Sequence, residues 1–239
     1  MVGVHSGCLV LVNARHPIRD TSRPALAPAA PGSGVLLEKR ASAMLTGALE
    51  RLGAVGEIVP VSGYRSEAEQ REIWDSSMAE NGEDFTRKFV AAPGCSEHQT
   101  GLAIDLALRA EDIDFIRPDF PYDGVCGRFR EIAPDYGFIE RYPAGKEDIT
   151  GIAAEPWHFR YVGRPHARLM RDMGLTLEEY VEFLRGYPYP GRLLSTSNGG
   201  YDALIGFAHS YEPEEHRAPC QVSGNNVDGY ILTLWRLPA

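Results

Sequence analysis

Ten consecutive residues, Ser96-Glu-His-Gln-Thr-Gly-Leu-Ala-Ile-Asp105, offer an imidazole and a carboxylate on either side of a glycine. Further along, Glu155-Pro-Trp-His158-Phe-Arg adds a second imidazole and a second carboxylate. Three N/O protein ligands with a fourth position left for water is the pattern of a catalytic zinc site, whereas a structural site closes with four. A carboxylate near the cation but not on it can take a proton from bound water, whose pKa the metal lowers to about 7. These residue types in this order point to a zinc hydrolase.

Such a site needs elements that bring distant side chains together. His98 is expected in a turn and Asp105 inside a strand over residues 102–108, with Ala103 on the same face and too small to fill it. Glu155 lies three residues before His158, so a bend at Pro156 is expected to bring it in. Trp157 reads equally as a core aromatic and as a pocket wall. The ordinary alternative for His98 and Asp105 is a core histidine satisfied by a carboxylate. Cys95 is a conceivable soft ligand, but alternation along the strand places Asp105 better.

Around these motifs the pattern predicts short strands at residues 9–12, 57–61, 137–139 and 157–162. Helices are expected at 35–52, closed by Gly53, and from a Ser66-x-x-Glu69 capping box to about residue 80. Others are expected at 124–136, at 165–173 and at 176–185, the last opened by Thr176-x-x-Glu179. Residues 13–34, rich in Pro, Gly, Ala and Ser, read as a surface loop. After residue 190 apolar runs separated by turn formers, among them Asp228-Gly229, read as a small β appendage with a hairpin. The fold class is α+β: a small antiparallel sheet with helices packed around it and the zinc site in a cleft. Residues 1–190 would form the zinc-binding domain and 191–239 a C-terminal β extension packed on it.

Net charge is −9, from 24 basic against 33 acidic residues, and there is no long basic run, so nucleic acid is not an expected partner. Cys8, Cys95, Cys126 and Cys220 are scattered and form no C-x-x-C pair, which reads as free thiols in a reducing compartment. No stretch has the length of a signal-peptide core or a membrane span, so a complete chain of this sequence would be cytoplasmic. His5, His16, His166, His209 and His216 fit no ligand pattern. Asp112, Asp114, Asp119 and Asp123 lack the spacing of a calcium loop.

Three motifs in order, Ser62-Gly-Tyr-Arg65-Ser66-x-x-Glu-Gln70, Ser96-x-His98-x-x-Gly101-x-Ala103-x-Asp105 and Glu155-Pro-Trp-His158, resemble the VanY/VanXY-type zinc D,D-peptidases of vancomycin-resistance clusters. The resemblance continues through residues 81–88, 112–123 and 223–229, so it covers nearly the whole chain. It implies one Zn2+ on His98, Asp105 and His158, with Glu155 as general base and acid. It implies that Arg65 faces the carbonyl oxygen as it becomes an oxyanion, and that Gln70 and Ser96 hold the terminal D-residue of the substrate; Ser96 could instead cap its own turn. The implied substrates are D-Ala-D-Ala and the UDP-linked pentapeptide precursor. An L,D-cleaving or wall-recycling peptidase would use the same ligands, and a non-catalytic zinc-stabilised wall-binding module would lack the base or the cation.

Overall fold

A computed structural model describes residues 2–198, 201–211 and 220–236 of the chain; His216 lies outside them. Strands β1 (Leu26–Pro28) and β2 (Leu36–Glu38) pair antiparallel. The stretch read as an irregular loop therefore contributes a short strand. Burial orders it: Ala29 and Ala30 are covered, and the Ser42 hydroxyl donates to the Pro28 carbonyl at 2.6 Å. Helix α1 (Lys39–Leu52) starts later than residue 35 because β2 occupies those positions and the Glu38 carboxylate caps the Arg40 and Ala41 N–H groups. It stops at Gly53 in the left-handed conformation, as expected.

After β3 (Ile58–Ser62) the expected capping box is formed at the head of α2 (Glu67–Asn81), with Ser66 N–H donating to Glu69 at 2.7 Å. The short α3 (Glu83–Phe89) follows Gly82 directly and was not anticipated, since the Asn-Gly pair reads only as a stop. Strand β4 (Ala103–Leu108) and helix α4 (Gly124–Ile132) come next. The α-helix does not reach residue 136. Pro134 lacks an N–H to continue the ladder, and the chain tightens into a 3-10 turn over Ala133–Tyr136.

β5 (Phe138–Tyr142), α5 (Glu147–Thr150), β6 (Glu155–Tyr161), α6 (Arg164–Met173) and α7 (Leu177–Leu184) complete the first part. The tail supplies β7 (Leu194–Asn198), β8 (Tyr201–Ala208), β9 (Cys220–Gly224) and β10 (Tyr230–Arg236). One antiparallel sheet runs β3-β4-β6-β5 and another β7-β8-β10-β9. The expected hairpin is β9–β10. Its turn is closed by the Asn225 side chain, which accepts from the N–H groups of Val227, Asp228 and Gly229.

Residues 9–12 are buried but form no strand. Their backbone groups go elsewhere: Arg160 of β6 donates to the carbonyls of Cys8 and Val10 at 3.1 and 2.9 Å, and Leu11 N–H donates to Asn225 O. This N-terminal strap lies between the two sheets and bonds to both. Beside it, α1 buries Ala41, Leu45, Ala48 and Leu49, and Phe120, Phe129 and Phe159 pack edge to face at 5.1–5.9 Å. All four cysteines are free thiols. Among the described residues no helix is long and apolar enough to cross a membrane.

Candidate metal centre

The central strands of the first sheet place the first pair. Asp105 of β4 lies directly opposite His158 of β6, so both side chains stand on one face. His158 Nδ1 is 2.9 Å from Asp105 Oδ1. His98 comes from a 3-10 turn (Glu97–Thr100) that ends at Gly101 in the left-handed conformation, φ 70°. Its Nδ1–H donates to the Gly63 carbonyl at 2.7 Å, which leaves Nε2 with its lone pair 3.2 Å from Asp105 Oδ2. A Cβ at residue 63 would run into the Leu36 carbonyl, so a glycine is needed for that backbone approach.

One donor atom from each of His98, Asp105 and His158 falls within 4.8 Å of the others. Tetrahedral zinc with ~2.1 Å bonds needs ligand atoms about 3.4 Å apart, so this set fits with small adjustments. The three side chains are buried. The two imidazole rings meet edge to face at 5.0 Å, and Tyr142 packs on the other side of His158 at 4.9 Å.

Glu155 reaches the same face by an irregularity rather than a loop. Tyr142 pairs with Glu155 and Glu140 with Phe159, so residues 156–158 of β6 stand against the single Arg141 of β5. Strict alternation would put positions three apart on opposite faces; the bulge at Pro156 brings both to the pocket. Glu155 Oε2 sits 3.7 Å from His158 Nδ1. The expected bend is thus a bulge inside the strand.

Electrostatics separate the carboxylates. Burial raises the Asp105 carboxyl, but His98 and the His158 hydrogen bond outweigh it and hold the group well below the usual range. Burial pushes Glu155 up to about 8, against the pull of His158. Burial and then Arg65 push His98 down to about 4; His158, despite burial, is lifted by the Asp105 hydrogen bond to about 9. A double positive charge among these groups would favour ionised carboxylates and neutral imidazoles, the forms that bind metal.

The pocket is lined by Arg65, Gln70, Ser96, His98, Asp105, Glu155, Trp157 and His158, so every predicted site residue meets there. Gln70 donates to the Ala91 carbonyl at 2.7 Å while its Oε1 is buried without a partner. Ser96 makes no capping bond to its turn. Trp157 belongs to the core cluster and to the pocket wall at once. Cys95 does not line this pocket.

Sequence reasoning left out the charged layer beneath the candidate ligands. Buried Glu97 pairs with Arg141 Nε at 2.8 Å and with Arg160 Nη1 at 2.7 Å, and Arg141 also forks onto Glu178 of α7. Tyr142 and the apolar rim of Val90, Phe115, Ile116 and Ile152 were likewise missed. Glu97 and Arg160 sit inside the two motifs, and that position was the available signal.

Residues 37–164 match the family model VanY, D-alanyl-D-alanine carboxypeptidase. The chain belongs to the VanY family. It is 44% identical over 179 residues to the bifunctional D-Ala-D-Ala dipeptidase and carboxypeptidase VanXYC of Enterococcus gallinarum, a match covering 74% of this chain and 94% of that protein. The solved structure of the vancomycin-resistance D,D-dipeptidase VanXYg, in complex with a D-Ala-D-Ala phosphinate analog, superposes with a TM-score of 0.93. Identity there is 47%, with 98% of this chain and 95% of that one covered. A vancomycin-resistance D,D-pentapeptidase VanY from a VanB-type cassette, solved with Zn(II), gives a TM-score of 0.61 at 34% identity, covering 73% of this chain and 98% of that one. This VanY-family chain is a peptidase, with the α+β fold expected of it.

Proposed function

We propose that this VanY-family chain is a zinc D,D-peptidase that hydrolyses D-Ala-D-Ala and removes the C-terminal D-Ala from peptidoglycan pentapeptide precursors. One observation carries the assignment: two imidazoles and an aspartate share one buried face, beside a glutamate that stays outside the ligand set. His98, Asp105 and His158 would hold one Zn2+. When bound, zinc would acidify a water and polarise the scissile carbonyl.

The chain's own groups supply the rest. Glu155 takes the proton of the attacking water as the C–O bond forms, then returns it to the amine as the C–N bond breaks. Arg65, half-buried in the pocket wall, faces the carbonyl oxygen as it gains charge, an interaction stronger in the transition state than before it. Gln70, with its free Oε1, and Ser96 hold the terminal D-residue, and Trp157 closes the wall. In a cytoplasmic location the substrates would be the free dipeptide and the UDP-linked pentapeptide. Their loss would deplete the D-Ala-D-Ala ends that vancomycin binds and so contribute to resistance. Residues 1–190 would form the peptidase domain and 191–239 a C-terminal β extension packed on it.

The test is metal analysis of the purified protein together with assays on D-Ala-D-Ala, on the UDP-pentapeptide and on L,D-linked peptides. One zinc per chain and D-Ala release from the first two substrates, abolished by chelator and restored by zinc, are expected. Chelator-insensitive turnover, or release from the L,D-linked peptides alone, would overturn the assignment.

A further inference from the structure

Beneath the metal-binding face, two buried polar atoms face each other with nothing else to bond. Glu97 Oε2 and His158 Nε2 lie 3.7 Å apart, and neither has a hydrogen-bond partner among the described residues. Buried polar atoms are rarely left so. Glu97 is otherwise fully committed: its Oε1 accepts from Arg141 Nε at 2.8 Å and pairs with Arg160 at 2.7 Å. The two guanidinium groups are themselves fixed, Arg141 by Glu178 of α7 and Arg160 by the carbonyls of Cys8 and Val10. The carboxylate is thus clamped at one oxygen, with the other aimed at the imidazole.

We infer that Glu97 is the positioning residue for His158, accepting the Nε2 proton so that Nδ1 keeps its lone pair on the metal side of the ring. This rests on the metal assignment proposed above. His158 has two carboxylates to choose from. Its Nδ1 sits 2.9 Å from Asp105 Oδ1 on the metal-binding face, and its Nε2 points the other way, toward Glu97 Oε2. A cation held on that face would take the Nδ1 lone pair, and the ring then carries its hydrogen on Nε2, toward Glu97. The 3.7 Å gap exceeds a hydrogen bond, but a small tilt of the ring toward Glu97 closes it. A carboxylate behind a ligating histidine fixes both tautomer and ring angle. Here that carboxylate is tied to the N-terminal strap and to α7, so distant segments hold the ligand's orientation. A purely structural role would instead have Glu97 neutralise two buried arginines and leave His158 untouched.

The two roles separate by zinc affinity, measured by chelator competition on folded full-length protein. Glu97→Gln should weaken binding by roughly 10–100-fold. Glu178→Gln disturbs the same Arg141 one step further from the ring, without touching His158, and should weaken binding clearly less than Glu97→Gln. Nitrogen-15 NMR of zinc-loaded wild type provides a readout that needs no variant: the His158 proton should reside on Nε2 and exchange slowly. Wild-type affinity in Glu97→Gln, equal losses in the two variants, or a rapidly exchanging Nε2 proton would overturn the inference while leaving the zinc site intact. A wild-type chain that binds no zinc would overturn both.

Discussion

At the scale of single residues, the site divides labour through environment. Asp105 and Glu155 are both buried carboxylates on one pocket, yet two neighbouring imidazoles hold Asp105 ionised while burial lifts Glu155 to about 8. A bound cation would draw that raised carboxyl back down, to a range where it both accepts and returns a proton, which is what hydrolysis of an amide requires. Replacing Glu155 with Ala should therefore lower kcat by roughly 10²–10⁴-fold. Zinc content should stay at the wild-type level, because the ligand set is untouched. Atomic absorption beside a steady-state assay checks both. Arg65→Ala should cost about 10²–10³ in kcat with a smaller change in KM, as expected for a charge that acts on the developing oxyanion. A rise in KM alone would make Arg65 a ground-state binder.

At the scale of elements, precision comes from the bulge in β6 and from what pins it. Arg130 of α4 donates to the Pro156 carbonyl at 2.6 Å, to Phe120 O at 2.9 Å and to Glu140 at 3.0 Å. Its guanidinium also covers the Tyr122 ring at 4.0 Å from the centroid. It touches no reacting atom, yet it fixes the turn of backbone that aims Glu155. Arg130→Met should reduce kcat by roughly 10–100-fold through misplacement of that carboxylate, with zinc affinity kept. Unchanged kcat would show that Pro156 holds the bulge alone. The motif glutamate and histidine were legible in the sequence, as was the need for a bend between them. The bulge was not, because register depends on the partner strand β5. The capping boxes at Ser66 and Thr176 and the Gly53 stop were legible because they depend only on residues within one helical turn.

For the molecule as a whole, a pH-sensitive contact outside the candidate metal pocket ties α6 and α7 to the second sheet. His166 at the head of α6 bonds Tyr180 of α7 at 2.8 Å and Thr233 of β10 at 2.9 Å. Burial pushes its pKa down from 6.5 to about 3. The unfolded chain takes up this proton below about 6.5 and the folded chain only near 3, so stability must fall as pH drops through that window. The slope is about 1.4 kcal/mol per pH unit from this group. Urea midpoints should thus fall more between pH 7 and 5 in the wild type than in His166→Gln, which has no proton to gain. Parallel losses in the two proteins would contradict this. The Leu9–Val12 run also belongs to this scale. Its composition reads as a strand, but Arg160 and the tail take its backbone groups, so it becomes a strap.

The sequence by itself determined the α+β class, most helix ends and the identities of the side chains that converge, since these follow from local periodicity, capping and motif order. Only the tertiary structure decided that Asp105 faces His158 across a ladder, that Glu155 enters through a bulge, and that Glu97 lies clamped behind His158. Those facts depend on pairings between segments far apart in the chain, and no local pattern encodes the register in which two strands meet.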